Sequence, residues 1–305
     1  MNGDPTTSKA AVLKAHKVPL DFRDFPLPDL KSNSLIAKVT VATVCGTDIH
    51  LWRGDSSPPL PLILGHEAVG KVHKLGSDVK TDHAGSPITE GDRIIWGSSG
   101  RCGKCYSCVV KKIPERCANS VVLGIVTTCK DPPHLNGNFS EFVYLRPPLY
   151  FFKIPDSLSD KVASPASCAL STVMNGTEKI DVRAGDSVVI QGAGPLGLYG
   201  VAVAKMRGAE KVIVIDKVDS RLKLAEEFGA DHTLNMMEYE KMEDRMKEVM
   251  KLTGGYGADH VIELTGSLDA IPEGVRLVRP RGTYLLIGSA VSGEIAIPPA
   301  LLITK

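Results

Sequence analysis

The chain has 305 residues, 43% of them apolar and 23% charged, and its formal net charge is +1. This length predicts about two domains with sizeable cores, and the balanced charge excludes the basic footprint of a nucleic-acid or membrane-surface binder. The N-terminus is polar and no apolar run approaches about eighteen residues, so we predict neither a secretory signal nor a membrane span. Four of the seven cysteines cluster, which favours reduced thiols or metal ligands over disulfides, and we expect a cytoplasmic protein.

The first half of the chain, residues 9–155, predicts a mostly β domain. Its apolar runs are short, rich in β-branched residues and separated by Gly, Pro and Asp, as is typical of strands. Three such runs are residues 10–13, 35–41 and 93–96. Two long loops, 81–92 and 110–138, are expected to be functional or braced by a metal. Within the first loop, residues 81–90 form a surface extension to which the sequence assigns no purpose.

Two segments of this domain carry candidate metal ligands. Cys45 opens the run Cys-Gly-Thr-Asp-Ile-His, and His66 and Glu67 follow a glycine further along. A thiolate, an imidazole and a carboxylate brought together by folding are ordinary ligands of a catalytic zinc, which keeps one position open. Each residue alone also has a plainer interpretation, because Cys45 fits a buried apolar thiol and His66 a core histidine.

A second group of candidate ligands is a cluster of four cysteines within sixteen residues. Its members are Cys102, Cys105, Cys108 and Cys117. Thiolates at this spacing fit the tetrahedral shell of a structural zinc, with Zn–S bonds of about 2.3 Å. The surrounding loop has no apolar periodicity of its own, so a metal would hold its shape. The alternative is four unrelated free thiols.

From about residue 187 the pattern changes to apolar strands alternating with helices, which predicts a parallel sheet covered on both faces. The predicted strands are 187–191, 211–216, 232–235, 259–264 and 282–288, and the predicted helices are 195–207, 220–228 and 238–252. The second of these helices has Asp219 or Ser220 as its N-cap and Gly229 just beyond its end.

A glycine-rich loop joins the first of these strands to the first helix. Its residues are Gly192, Ala193, Gly194, Pro195, Leu196 and Gly197. This G-x-G-x-x-G pattern follows a strand and opens a helix, which is the context of a dinucleotide-binding loop. The first glycine would allow the tight turn, the second the approach of a pyrophosphate, and the third close helix–strand packing. The alternative is a glycine-rich turn that binds nothing.

An acidic residue ends the next strand, as the dinucleotide pattern requires. Asp216 would accept hydrogen bonds from the adenosine ribose hydroxyls, and its charge would repel a 2′-phosphate. The sequence therefore favours NAD over NADP. Lys217 and Arg221 follow closely and are predicted to contact the ribose or a phosphate.

Taken together, these segments resemble the zinc-dependent medium-chain dehydrogenase/reductase family, the alcohol and polyol dehydrogenases. The stretches that carry the resemblance are residues 45–50, 65–67, the four-cysteine cluster, 168–172, 192–197 and 253–259. The resemblance implies an α/β protein: an N-terminal GroES-like, mostly β catalytic domain over residues 1–170, and a doubly wound parallel (Rossmann) NAD-binding domain over residues 171–305.

The resemblance also implies two zinc ions per chain, one catalytic and one structural. Cys45, His66 and Cys168 would hold the catalytic zinc, and Glu67 would lie behind them or act as a transient ligand. The four-cysteine cluster would hold the structural zinc.

The implied reaction is hydride transfer between a primary, secondary or polyol alcohol and NAD through a zinc-bound alkoxide, with an aldehyde or ketone as the other member of the pair. The Thr47 hydroxyl would reach the reacting oxygen, and the proton would pass through the cofactor ribose to His50, whose imidazole releases protons near neutral pH.

Members of the family continue for several dozen residues beyond the position of Lys305, so the resemblance implies a C-terminally truncated Rossmann domain. An alternative hypothesis is therefore a noncatalytic or impaired family member that binds zinc and dinucleotide. The resemblance further implies a homodimer or homotetramer that pairs near residues 282–298.

Overall fold

The structure is a computed structural model that describes residues 4–288 and 293–305. The chain divides into two compact units, Met1–Cys168 and Ala169–Lys305, with the boundary two residues before the predicted one. Within the described residues, no helix is both long and apolar enough to cross a membrane.

The first unit is built mainly of antiparallel strands. Its strands are β1 (Thr7–Leu13), β2 (Asp21–Pro26), β3 (Leu35–Thr43), β4 (Leu62–Ile63), β5 (Glu67–Leu75), β6 (Arg93–Trp96), β7 (Ser99–Gly100), β8 (Val121–Val122), β9 (Phe142–Leu145) and β10 (Phe151–Lys153). Its helices are α1 (Gly46–Arg53), α2 (Tyr106–Val109) and α3 (Asp160–Ala163), with 3₁₀ turns at Pro114–Arg116 and Ser164–Ser167. The strands form sheets ordered β2-β1-β4, β10-β6-β5-β3-β9 and β7-β8. The mostly β character of the first domain is therefore confirmed.

The five-stranded sheet carries the largest core of this unit. Leu35, Ile94 and Trp96 are almost completely buried there, and full burial of such side chains contributes about 1.5–3 kcal/mol each. Strands β3 and β5 pair along nearly their whole lengths. Because β3 ends just before Cys45 and β5 begins just after His66, this pairing brings the two predicted ligand segments to one end of the sheet.

The extension at residues 81–90 lies along the edge strand β10. His83 exchanges two hydrogen bonds with the backbone of Phe151: the His83 N–H donates to Phe151 O (3.1 Å), and the Nδ1 atom of its ring accepts from Phe151 N (3.2 Å). Asp82 is buried, and its Oδ2 accepts a hydrogen bond from Lys153 N at 3.0 Å. The extension thus covers the backbone groups of a strand that would otherwise be a free sheet edge.

The second unit contains one parallel sheet with helices on its faces. Its strands are β11 (Ser187–Gln191), β12 (Lys211–Asp216), β13 (His232–Asn235), β14 (Ala258–Glu263) and β15 (Val278–Leu286). Its helices are α4 (Ala169–Lys179), α5 (Pro195–Met206), α6 (Asp219–Glu227), α7 (Met242–Leu252), α8 (Ala270–Leu277) and α9 (Pro299–Ile303). The strand order β13-β12-β11-β14-β15 is that of a doubly wound fold, which confirms the predicted Rossmann architecture.

The order of the strands reverses between β11 and β14. In open α/β sheets, ligands bind in the crevice beyond the carboxyl ends of the strands at such a reversal. Three residues that end strands therefore lie at the edge of this crevice: Gln191, Asp216 and Glu263.

Two helix starts differ from the prediction. Helix α6 begins at Asp219 with Val218 as its N-cap, because the Asp219 carboxylate accepts a hydrogen bond from the Asn235 side chain and does not cap the helix. Helix α7 begins at Met242, four residues late, because residues after Asn235 form a turn in which Met237 N donates to Asn235 Oδ1 (2.8 Å).

The predicted pairing segment, residues 282–298, is described only in part. Residues 289–292 lie outside the described residues, so that prediction stays open.

Candidate metal centres and dinucleotide loop

Cys45 is positioned by the start of helix α1, where it is the N-cap residue. The Asp48 side chain, at the third helical position, accepts a hydrogen bond from Cys45 N at 2.8 Å. This return contact is half of a capping box and fixes the entry of the chain into the helix. The Cys45 side chain is consequently held at the end of the sheet.

His66 and Glu67 follow a tight turn at Gly65, whose φ is +90°. A Cβ atom at Gly65 would lie 2.4 Å from the Phe139 ring, so only glycine fits. Gly65 N donates to Asp48 Oδ1 at 3.2 Å, and the same oxygen lies 3.3 Å from His66 Nδ1 without the alignment of a good hydrogen bond. Asp48 therefore contacts both ligand segments.

The four residues predicted around the catalytic metal come together in the first unit. The ligand atoms of Cys45, His66, Glu67 and Cys168 all lie within 4.8 Å of one another. His66 and Glu67 are buried, and the two cysteines are partly buried. Cys168 reaches the group from the 3₁₀ turn Ser164–Ser167. Two sulfurs, an imidazole and a carboxylate form a donor set that fits zinc.

The protonation states of these groups are strongly linked. The hydrogen bond with the Cys168 thiol, acting against burial, lowers the pKa of Cys45 to about 3. The same contact, together with burial, raises the pKa of Cys168. Burial opposes the charged form of His66, but Asp48 and Cys45 outweigh it and raise the pKa of His66 to about 10. A bound dication would replace these protons, because metal ligands must be deprotonated.

Glu67 is held within this group by Thr43. Burial raises the pKa of Glu67, while Thr43 Oγ1 donates to Glu67 Oε2 at 2.7 Å. Thr43 also lies 3.1 Å from the Ser164 hydroxyl. Thr43 was not predicted as a site residue, because a threonine at the end of a strand carries no sequence signal of its own.

The four-cysteine cluster closes around one point. The Sγ atoms of Cys105 and Cys108 are 3.5 Å apart, those of Cys105 and Cys117 are 3.9 Å apart, and those of Cys102 and Cys117 are 3.5 Å apart. Sulfurs at the corners of a tetrahedron with Zn–S bonds of about 2.3 Å lie about 3.8 Å from one another. The cluster therefore has the spacing of a tetrahedral zinc site.

Backbone donors already stabilise negative charge in this cluster. The N–H of Lys104 and the side chain of Asn119 lower the pKa of Cys102 to about 6. Desolvation and the neighbouring Cys105 sulfur raise the pKa of Cys108 to about 12. Without a cation, Cys102 therefore loses its proton more readily than Cys108 does. A bound cation would neutralise the negative charge of the group.

Thr47 and His50 lie on helix α1, beside the first ligand. Thr47 Oγ1 is 3.9 Å from Cys45 Sγ. His50 Nδ1 is 2.7 Å from Asp55 Oδ2, and the His50 side chain is 31% exposed. His50 is therefore accessible to solvent and held by a carboxylate; its part in a proton relay stays a prediction.

The glycine-rich loop has the shape expected of a dinucleotide site. Gly192 has φ +98°, and a Cβ at Gly197 would lie only 1.9 Å from Gly192 O. Gly194 caps helix α5 without a side chain, and Pro195 and Leu196 form its first turn. Pro195 has no N–H, and the Leu196 and Gly197 N–H groups of the first turn have no intrahelical acceptor, so they can donate to a phosphate as at phosphate-binding helix starts. A Cβ at Gly194 would meet nothing, so space lies open before the helix.

Asp216 ends β12 beside this loop and is 8% exposed. Its Oδ2 accepts a hydrogen bond from Ala193 N at 2.7 Å, and its Oδ1 accepts from Lys217 N (2.7 Å) and Val218 N (2.9 Å). Lys217 and Arg221 are exposed. Asp216 thus orders the loop in addition to offering an acceptor at the crevice, a role that the sequence did not predict.

Two family models match the chain: the alcohol dehydrogenase GroES-like domain over residues 31–156 and the zinc-binding dehydrogenase domain over residues 195–305. A 5-exo-hydroxycamphor dehydrogenase from Pseudomonas putida is 34% identical over 268 residues, which make up 87% of this chain and 72% of that relative. The chain belongs to the zinc-dependent medium-chain dehydrogenase/reductase family.

Solved structures of similar proteins agree with this assignment. An alcohol dehydrogenase from Thermotoga maritima has a TM-score of 0.89 at 40% identity, covering 96% of this chain and 80% of that one. A zinc-binding dehydrogenase from Sinorhizobium meliloti, solved with bound NADP, has a TM-score of 0.84 at 28% identity, covering 98% of this chain and 82% of that one. This family member is thus an oxidoreductase of the dehydrogenase type, and zinc and a nicotinamide cofactor belong to its chemistry.

Proposed function

We propose that this dehydrogenase transfers hydride between a small alcohol and NAD, with the corresponding aldehyde or ketone as the oxidised substrate. The observation that carries the proposal is the convergence of Cys45, His66, Glu67 and Cys168 within 4.8 Å. When bound, zinc would supply Lewis acidity that favours the alkoxide form of the substrate, and NAD would supply the hydride acceptor.

The protein groups around this centre would each have a separate task. Cys45, His66 and Cys168 would hold the metal, and Asp48 would keep the His66 ring and the Cys45 segment in register. Glu67, held by Thr43, would tune the centre from behind or replace a ligand for a short time. The four-cysteine cluster would hold a second zinc, which braces its loop and takes no part in the reaction.

Thr47 and His50 would transfer the proton of the substrate hydroxyl to solvent. The hydroxyl of Thr47 is close to the Cys45 sulfur, and the exposed His50 is within reach of solvent. Replacing His50 with Gln should slow alcohol oxidation at neutral pH, and exogenous imidazole should restore part of the rate. A pH–rate profile identical to that of the wild type would remove His50 from this role.

The preference for NAD over NADP is supported by Asp216 at the end of β12. A carboxylate there repels the 2′-phosphate of NADP and accepts hydrogen bonds from the ribose hydroxyls of NAD. Lys217 and Arg221, which are exposed nearby, offer positive charge that would weaken this discrimination. We therefore expect NAD to bind more tightly than NADP without NADP being excluded. Dissociation constants measured with both cofactors would give the size of the preference.

The deciding experiment is an activity screen of zinc-loaded protein with primary, secondary and polyol alcohols and their aldehydes or ketones. Each substrate is tested with NAD(H) and with NADP(H), and Cys45→Ser serves as the inactive control. Turnover of at least one alcohol with NAD, lost in the variant, is the expected result. Binding of zinc and NADH without any turnover would instead support a noncatalytic family member.

Homodimers or homotetramers are the expected assemblies.

A further inference from the structure

Glu263 is a buried carboxylate at the carboxyl edge of the parallel sheet. It is the last residue of β14, and its exposure is 0%. In the pairing of β14 with β11, where the strand order reverses, Glu263 lies opposite Gln191. Fully buried acids are rare unless a cation pairs with them. Within the described part of the chain, no Lys, Arg or His forms an ion pair with Glu263.

The carboxylate of Glu263 is used to hold the segment that follows it. Oε1 accepts hydrogen bonds from Thr265 N (2.6 Å), from the Thr265 hydroxyl and from Gly266 N (2.9 Å). The backbone carbonyl of Glu263 accepts from Ile287 N (3.0 Å) and Gly288 N (2.9 Å). One residue therefore fixes the first turns beyond both β14 and β15.

The segment held by Glu263 packs directly against the dinucleotide loop. A Cβ at Gly192 would lie 2.7 Å from Thr265 Cγ2 and 3.3 Å from Thr265 N. Leu264 N also donates to Gln191 O at 2.9 Å, which ties the segment to the end of β11. The position of Thr265 thus limits where the first glycine of the loop can lie.

The second oxygen of the Glu263 carboxylate lacks a hydrogen bond. Oε2 of Glu263 is buried and has no hydrogen-bond partner. A Cβ at Gly288 would lie 2.2 Å from this oxygen and 2.3 Å from Gly266 N, so glycine at 288 is needed for the close fit. An uncompensated buried oxygen costs stability.

We propose that Glu263 is a positioning residue for the dinucleotide, acting through Thr265 to hold residues 264–266 against Gly192. The loop that would receive the pyrophosphate is thereby fixed before the cofactor arrives. This role rests on the cofactor binding of the proposed function and makes no use of the metal centre. Preorganisation of this kind lowers the ordering cost of binding.

The test compares NADH affinity in four variants of the 305-residue, zinc-loaded protein, measured by fluorescence titration beside the unfolding temperature. Glu263→Gln keeps the shape but weakens the acceptor, and we expect the Kd for NADH to rise about tenfold. Thr265→Val removes the hydroxyl yet keeps the methyl contact, and should raise Kd severalfold. Thr265→Ser retains the hydroxyl that bonds to Glu263 but loses the methyl beside Gly192, so its Kd should rise less than that of Thr265→Val.

The matched control is Glu273→Gln, which breaks a buried ion pair between helices α7 and α8 instead. Glu273 Oε1 is 2.7 Å from Arg245 Nε, and the pair is buried. We expect this variant to unfold at a lower temperature while its Kd for NADH stays within about twofold of the wild type.

Three results would overturn the proposal. An unchanged Kd in Glu263→Gln would show that the acid does not position the loop. Equal rises in Kd for Glu263→Gln and Glu273→Gln at equal loss of unfolding temperature would show a merely structural role. If the wild-type protein binds neither NADH nor NADPH, the dinucleotide function itself fails, and this role fails with it.

Discussion

Asp48 and His66 are buried side by side, with Asp48 Oδ1 3.3 Å from His66 Nδ1, and the second oxygen of the same carboxylate accepts the N–H of Cys45. One acid thereby connects two ligand segments that are separated by twenty residues in sequence. The geometry of the candidate catalytic centre thus depends on a side chain that would not itself bind the metal.

Replacing Asp48 with Asn should weaken zinc binding at this centre about 10–100-fold, as loss of a carboxylate behind a metal-bound histidine usually does. The amide keeps the size of the side chain. It removes the negative charge beside His66 that strengthens this histidine as a zinc ligand. Competition with a chelator measures the effect, and Asp55→Asn, which alters the exposed partner of His50, is the control. Equal zinc retention in both variants would show that Asp48 does not support the metal.

The four-cysteine cluster should act as a structural brace. Cys108→Ser is expected to lose one zinc and to lower the unfolding temperature, because a zinc site filled a hundredfold above its Kd stabilises by about 2.7 kcal/mol. Cys129→Ser changes a buried cysteine outside the cluster, whose sulfur donates to Pro61 O, and should keep the full zinc content. If Cys108→Ser retains that zinc, the tetrahedral assignment is wrong.

Asp216 should set the cofactor preference. In Asp216→Asn the charge that repels a 2′-phosphate is lost, and we expect the ratio of NADPH to NADH dissociation constants to fall about tenfold, or about 1.4 kcal/mol. Affinity for NADH should also fall, because the carboxylate holds Ala193, Lys217 and Val218. Glu227→Gln at the end of α6 controls for net charge. An unchanged ratio would exclude Asp216 as the determinant.

Asp82 should make the first unit sensitive to acid. Burial opposes its ionisation, but the backbone N–H groups of Lys153, Ser86 and Ala84 outweigh burial and lower the pKa of Asp82. Because the folded pKa is below the unfolded one, the stabilisation is complete above the unfolded pKa and is lost as the pH falls through the folded pKa.

We therefore expect Asp82→Asn to cost about 1.5–3 kcal/mol at pH 7 and to lose less stability than the wild type on acidification. Urea unfolding at pH 7 and pH 3 measures both effects, with the exposed Asp29→Asn as the control. A variant that loses stability with acid as steeply as the wild type would contradict this account.

The sequence was most informative where structure depends on local patterns. Strands β11 and β12 have the predicted bounds, because a buried parallel strand is a continuous apolar run ended by turn residues. The start of α6 was wrong because Asp219 bonds to Asn235, sixteen residues away. The extension at residues 81–90 had no predicted role, because its partner Lys153 is distant in sequence.

The candidate site shows the same division. The four-cysteine spacing and the glycine-rich loop predicted their own chemistry, whereas the grouping of Cys168 with Cys45 and His66 depended on resemblance to a family. The hydrogen bond from Thr43 to Glu67 was not predicted, since it arises only when β3 and β5 pair, and the approach of residues 264–266 to Gly192 likewise requires β11 and β14 to pair. Motifs that are local in sequence can therefore be predicted from the sequence. The residues that hold those motifs in place can be identified only from the folded structure.

The central claim is that the chain holds two zinc ions and that only one serves the reaction. The most direct measurement is zinc per chain by mass spectrometry, beside alcohol oxidation with NAD, for the wild type, Cys168→Ser and Cys108→Ser. We predict two zinc ions in the wild type and one in each variant, with turnover abolished in Cys168→Ser and retained at low temperature in Cys108→Ser. Two zinc ions and full turnover in Cys168→Ser would contradict the account.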